Sequence, residues 1–130
     1  MDPLTDEQRE RLTRPAIASL EHIGRAWGID DGAVAALVGI GIETYVAHRR
    51  GENPGPLPQE ALYAGSALTA IDRMLEAQDV PVWQWIKQAR AEPPFDGRTP
   101  LEAMSGGTDA VVEVWRSLRD AAAPSGNPAP

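Results

Sequence analysis

Glycine and proline cut this 130-residue chain into short segments, and within most of them the apolar residues recur three and four positions apart. That period belongs to helices that bury one face. No stretch alternates apolar and polar residues over several β-branched positions, as a half-buried strand would. No internal repeat is visible either. The expected fold is therefore all-α, an N-terminal helical bundle followed by a small C-terminal helical module.

Local signals place the elements. Thr5 and Gln8 have the spacing of a capping box, so a short helix is expected over Asp6–Leu12. Pro15 suits the first turn of a second helix, in which Ile17, Leu20, Gly24 and Trp27 repeat before Gly28 stops it. Asp30 can cap a third helix with Val34, Leu37 and Val38 on one face, broken by Gly39. A fourth helix is expected from Ile42 to Arg50, with Ile42, Tyr45 and Val46 inward and Gly51 as its end. Three prolines and a glycine within Glu52–Pro58 mark the best internal boundary.

Beyond that boundary the period predicts a long helix, Gln59–Gln78, with Ala61, Ala64, Leu68, Ile71 and Leu75 in its stripe. A helix Val80–Arg90 should follow, capped by Asp79, with Val82, Trp85, Ile86 and Ala89 on one face. Ala91–Arg98 reads as a loop. Thr99 then caps a short helix, with Pro100 in its first position and Glu102 completing a second capping box. The last helix, Asp109–Asp120, carries Val111, Val114, Trp115 and Leu118 on one face. The expected division is 1–51, 59–120 and an Ala/Pro-rich flexible tail at 121–130.

Composition narrows the function classes. The chain has no cysteine, which excludes disulfides, thiolate catalysis and zinc–thiolate sites. Met1–Glu10 is acidic and polar, unlike a signal peptide, and the longest apolar run, Ala33–Ile42, is too short to span a bilayer. A cytoplasmic protein without a membrane partner is expected. The net charge is −7. Residues 1–51 carry 6 arginines against 8 acids and the remainder 6 basic against 11 acidic residues. Neither part has the basic balance of a strong nucleic-acid binder, and an acidic chain more naturally meets a basic protein.

A search for catalytic chemistry finds none. His22 and His48 stand alone, without a second histidine or a carboxylate at metal-ligand spacing. Nucleophile elbow, P-loop and GxGxxG are all missing, and Asp30-Asp31 sits where a helix cap is wanted. A non-enzyme with no metal and no cofactor is the expectation.

Trp27–Gly51 has the plan of a helix-turn-helix: helix, glycine-containing turn, second helix. The second helix would turn Glu43, Thr44, Ala47, His48 and Arg50 outward, with Arg49 nearby. Thr44, His48, Arg49 and Arg50 are its candidate DNA-binding residues. No Asn, Gln or Lys stands there to read base edges, and Glu43 would repel phosphate, so any operator binding should be weak.

Two segments carry a resemblance. Trp27-Gly28-Ile29, Ala36-Leu37, Gly39-Ile40 and Thr44-Tyr45 with Arg50-Gly51 are similar to the N-terminal helix-turn-helix of an antitoxin family. Gly41 stands where that pattern has serine, and His48 where it often has tryptophan. Trp85-Ile86, Pro93–Met104 and Ala110–Leu118 resemble the toxin-binding domain of the same family, the Xre/MbcA/ParS antitoxins. The central match is Phe95-Asp96-Gly97-Arg98-Thr99-Pro100-Leu101-Glu102-Ala103-Met104.

The resemblance implies an antitoxin of a type II toxin–antitoxin system. Such a protein neutralises a RES-type toxin that consumes NAD, and it often represses its own operon as a dimer. The implied partners are the cognate toxin and weakly bound operator DNA, in a homodimer or a hetero-oligomer with the toxin. Trp85, Phe95, Gly97, Thr99, Pro100, Leu101 and Met104 would be the structural motif. Candidate toxin-contact residues are Trp83, Asp96, Arg98, Arg116 and Arg119. Trp115 lies on the apolar stripe and reads as core, whereas Trp83 lies beside its helix's inward face and suits either core or interface. The alternative is a DNA-binding transcriptional regulator whose C-terminal module serves dimerisation only.

Overall fold

A computed structural model describes residues 3–122, and the described residues form seven helices and their connections, with no strand among them. The first helix, α1, runs unbroken over Asp6–Trp27. Its start is the expected capping box. The Gln8 amide donates to Thr5 Oγ1 at 3.1 Å, and the Thr5 amide to Gln8 Oε1 at 2.9 Å.

The two helices expected here are one. Pro15 lies inside α1 and removes one backbone donor, but the partner carbonyl belongs to the exposed Arg11, where water can satisfy it. What holds the register across the proline is a single buried stripe: Thr13, Ile17, Leu20, Ile23 and Trp27. Thr13 adds a long-range tie. Its hydroxyl donates to the Arg9 carbonyl at 2.7 Å and accepts the Leu57 amide at 2.9 Å.

Helices α2 (Asp31–Leu37) and α3 (Ile42–Arg49) follow, joined by a tight turn. Asp30 caps α2 by accepting the Ala33 amide at 2.8 Å. Both helices pack on α1 and on each other. Gly24 permits the close approach, because a Cβ there would meet Val34 Cγ2 at 3.3 Å. In α3 the buried side chains are Tyr45 and His48, one turn apart, while Ile42, expected inward, is exposed.

The Pro/Gly-rich segment 52–58 is stitched to α1 rather than free. Leu57 is buried, and its carbonyl accepts Arg9 Nη1 at 3.3 Å. Helix α4 (Gln59–Ala77) then packs against α1 on one side and α7 (Thr108–Ala122) on the other. Buried residues of α1 through α7 form one hydrophobic cluster. The last helix is slightly longer than expected, and residues 123–130 of the expected tail lie outside the described residues.

The expected helix Val80–Arg90 shrinks to α5, Val82–Trp85, with Pro81 rather than Asp79 at its start. Asp79 instead ends α4 in a left-handed conformation, φ 58°, with the Val80 amide reaching back to the Leu75 carbonyl at 2.9 Å. Continuation of α5 is blocked by competing bonds. The Ile86 carbonyl accepts the Leu101 amide at 3.1 Å, and the Arg90 amide goes to the Arg98 carbonyl at 3.1 Å. A longer helix would have paired Ile86 with Arg90. Ala89 is consequently exposed. The short helix α6, Pro100–Met104, leads into α7.

Candidate functional site

The segment from Ile86 to Met104 is a closed loop locked by its own backbone. At its base the Arg90 amide donates to the Arg98 carbonyl, and the Gly97 amide donates to the Arg90 carbonyl at 2.7 Å. Closing the loop there requires two successive left-handed residues, Asp96 at φ 52° and Gly97 at φ 89°. Glycine adopts that region freely and aspartate tolerates it better than most residues do.

Phe95 fills the loop. It is 3% exposed and meets Trp85 edge to face, with ring centroids 6.0 Å apart and planes at 87°. The Arg90 guanidinium lies 5.7 Å from the centre of the Trp85 ring and pairs with Glu92 at 3.0 Å. Glu92's own backbone amide and Arg90 together hold its carboxyl below the usual carboxylate range. The exit is the second capping box. The Glu102 amide donates to Thr99 Oγ1 at 3.1 Å, and the Thr99 amide donates to Glu102 Oε1 at 2.9 Å.

The motif residues therefore come together as one unit. Trp85, Phe95, Pro100 and Met104 are buried in it, Leu101 is half-buried, and Gly97 and Thr99 shape its turns. The proposed contact residues divide. Trp83 is 53% exposed on the same short helix as Trp85, and Asp96, Arg116 and Arg119 are exposed. Arg119 faces Asp120 at 3.5 Å. Arg98 is exposed as well, and it makes local bonds besides: its Nε donates to the Phe95 carbonyl and its Nη2 to the Pro94 carbonyl, both at 3.1 Å. Its guanidinium braces the loop, an arrangement that sequence spacing does not reveal. Trp115 is half-buried against the core, as expected.

The α3 candidates are placed less favourably for a groove of DNA. His48, expected outward, is 2% exposed because it lies one turn beyond Tyr45 on the buried face. Its Nε2 is buried without a hydrogen-bond partner among the described residues, and its backbone carbonyl accepts Arg14 Nη1 at 3.3 Å. Desolvation holds its imidazole below the ordinary range, against the opposing pull of the Gly55 backbone. Arg49 pairs with Asp31 across α2 and α3. Thr44 is half-buried, and Arg50 is exposed at the end of α3.

Two features escaped sequence reasoning. Asp72 is buried on α4, where Oδ1 accepts Trp27 Nε1 at 2.9 Å and Oδ2 lies 3.4 Å from His22 Nε2. The signal was present: an acid sits between Ile71 and Leu75 in an apolar stripe. A cleft of about 410 Å³ opens beside Trp85, with Pro81, Gln84, Gln88 and Leu118 among its walls. No cluster of three metal-ligating side chains occurs among the described residues, and none of their helices is long and apolar enough to cross a membrane.

No family model, curated protein or solved structure matches the chain.

Proposed function

We propose that this chain is an antitoxin-like binding protein, itself without catalytic activity, that holds and neutralises a RES-type NAD-consuming toxin. The observation that carries the reading is the locked loop. A clasp, a buried aromatic pair and a capping box make Ile86–Met104 rigid, and Trp83 projects from the adjoining turn. An exposed tryptophan on a rigid base suits a binding hot spot, since little entropy is lost on docking. Asp96, Arg98, Arg116 and Arg119 are the polar contacts in this reading, and Arg98 also braces the loop. In this reading the protein works in the cytoplasm and forms a homodimer or a hetero-oligomer with the toxin.

Autoregulation through α2 and α3, read as a helix-turn-helix, is the second part of the proposal. The inward His48 and the Arg49–Asp31 pair leave Arg50 and Thr44 as the remaining groups of that set for DNA. Any operator binding is therefore weak, and with so few phosphates neutralised its salt dependence is shallow.

The test is co-expression with the toxin candidate encoded beside it. A complex that survives gel filtration, and restored NAD levels in cells making that toxin, are expected. Failure of both overturns the reading. A gel shift showing tight, sequence-selective operator binding by the lone protein would favour the DNA-binding regulator instead.

A further inference from the structure

A concave surface larger than the cleft beside Trp85 lies away from the loop. It runs between α1 and α4, has a volume of about 810 Å³, and shares only Met74 with the cleft beside Trp85. Helices α1 and α4 run side by side in the same direction, since Leu4 hydrogen-bonds Gln59 at one end and Trp27 hydrogen-bonds Asp72 at the other. The groove's floor includes the small residues Ala16, Ser19, Gly65, Ser66 and Ala70. The groove is also lined by Leu12, 46% exposed and the one exposed large apolar residue among the described residues of α1. Arg73 is the only charged residue lining it, and Arg73 has no ion pair or hydrogen bond among the described residues.

We infer that this groove receives an amphipathic helix from a different protein, and that a carboxylate on that helix pairs with Arg73. Two adjacent helices with small residues between them form a groove that accepts the ridge of a third helix. From Leu62 to Met74 the α4 wall is about 18 Å long, which matches a partner helix of about twelve residues. An apolar strip with one unpaired cation calls for an apolar helix face with one acid.

A second copy of this chain does not fit. A two-fold axis would set one concave surface against another, small residue facing small residue, and none of the described lining residues is acidic. Nor does any other element supply the ridge. The exposed large apolar residues are Leu12, Ile42, Tyr63 and Trp83, one each on α1, α3, α4 and α5. No described helix presents a free apolar stripe.

The test uses designed helical peptides and the intact chain, and it needs no knowledge of the toxin. One peptide carries leucines at i, i+4 and i+7 with a glutamate one turn further along that face. A second replaces the glutamate with lysine, and a third is a scramble of the first. Fluorescence anisotropy is expected to show the glutamate peptide binding at least about tenfold more tightly than the lysine peptide. Arg73→Glu should invert that preference. Ser66→Arg, at an exposed position, should abolish binding while leaving the melting temperature unchanged.

Equal binding of the scramble, a preference that survives Arg73→Glu, or no binding at peptide concentrations of about 1 mM overturns the inference. So does concentration-dependent self-association of the chain that Ser66→Arg removes, which would make a second copy the occupant. A toxin complex lost with Trp83→Ala but kept with Ser66→Arg supports a groove separate from the toxin site. A toxin complex lost with Ser66→Arg and kept with Trp83→Ala overturns that separation and places the toxin itself in the groove.

Discussion

Replacing Phe95 with alanine probes the loop's packing directly. The ring is 3% exposed and meets Trp85 at 6.0 Å, so the substitution deletes a whole buried side chain. Core Phe→Ala changes cost about 3–5 kcal/mol, and a loop that can settle into the space puts this one near the lower figure. Of that, about 0.5–1.5 kcal/mol belongs to the ring pair beyond its buried area. A chain of this size has about 5–15 kcal/mol in total, so Phe95→Ala removes a large share. In urea unfolding the midpoint should fall with the slope unchanged. Phe95→Leu keeps most of the apolar area and should lose only about 1 kcal/mol, the aromatic part. A double-mutant cycle with Trp85→Leu then reads the ring–ring coupling itself. If Phe95→Ala costs less than about 1 kcal/mol and the coupling is zero, the loop is not packed as described. The rigid base assigned to Trp83 then falls with it.

Three further outcomes follow from particular side chains. His48 titrates below its ordinary value of 6.5 when folded, so the unfolded chain takes up the proton first. Stability is full above that pH and declines as the pH falls through it toward the folded-state value. Urea midpoints followed from about pH 8 to about pH 5 should show the decline, and His48→Gln should flatten it. An unchanged profile refutes the assignment. Asp72→Ala strands the buried Trp27 indole N–H and should cost about 1–3 kcal/mol by the same assay. Trp83→Ala should alter stability by no more than about 0.5 kcal/mol. It should nevertheless weaken the proposed toxin complex by at least about 2 kcal/mol in calorimetry, which a surface residue outside the interface would not do.

What the sequence disclosed, and what it hid, follows the range of each interaction. Both capping boxes, Thr5–Gln8 and Thr99–Glu102, span three residues and were legible as written. The buried stripes of α4 and α7 were legible because period alone encodes them. Pro15 misled because the force that carries α1 across it is burial against distant residues, Leu57 among them. The end of α5 was invisible for the same reason: Ile86 finds its backbone partner at Leu101, fifteen positions away. His48 looked outward only while α3 was drawn from Ile42. Phased from Tyr45, the same helix turns it inward. At the candidate site the turn residues announced themselves, but Arg98's two carbonyl partners did not. The α1–α4 groove could not be read at all, since its walls lie far apart in the chain.

Helix α4 is buried from both sides, with Ala61, Leu68, Ile71 and Leu75 all sealed between α1 and α7. Its central amides can therefore trade their hydrogens with solvent only when α1 and α7 have both come away, so they should exchange at the rate set by global opening. During synthesis the part of α1's stripe that faces α4 must wait until α4 has emerged. The first fifty-eight residues made alone would leave Leu20 without Gly65 and Trp27 without Asp72. A helix that serves as the inner wall for both neighbours makes the two halves one object in time as well as in space.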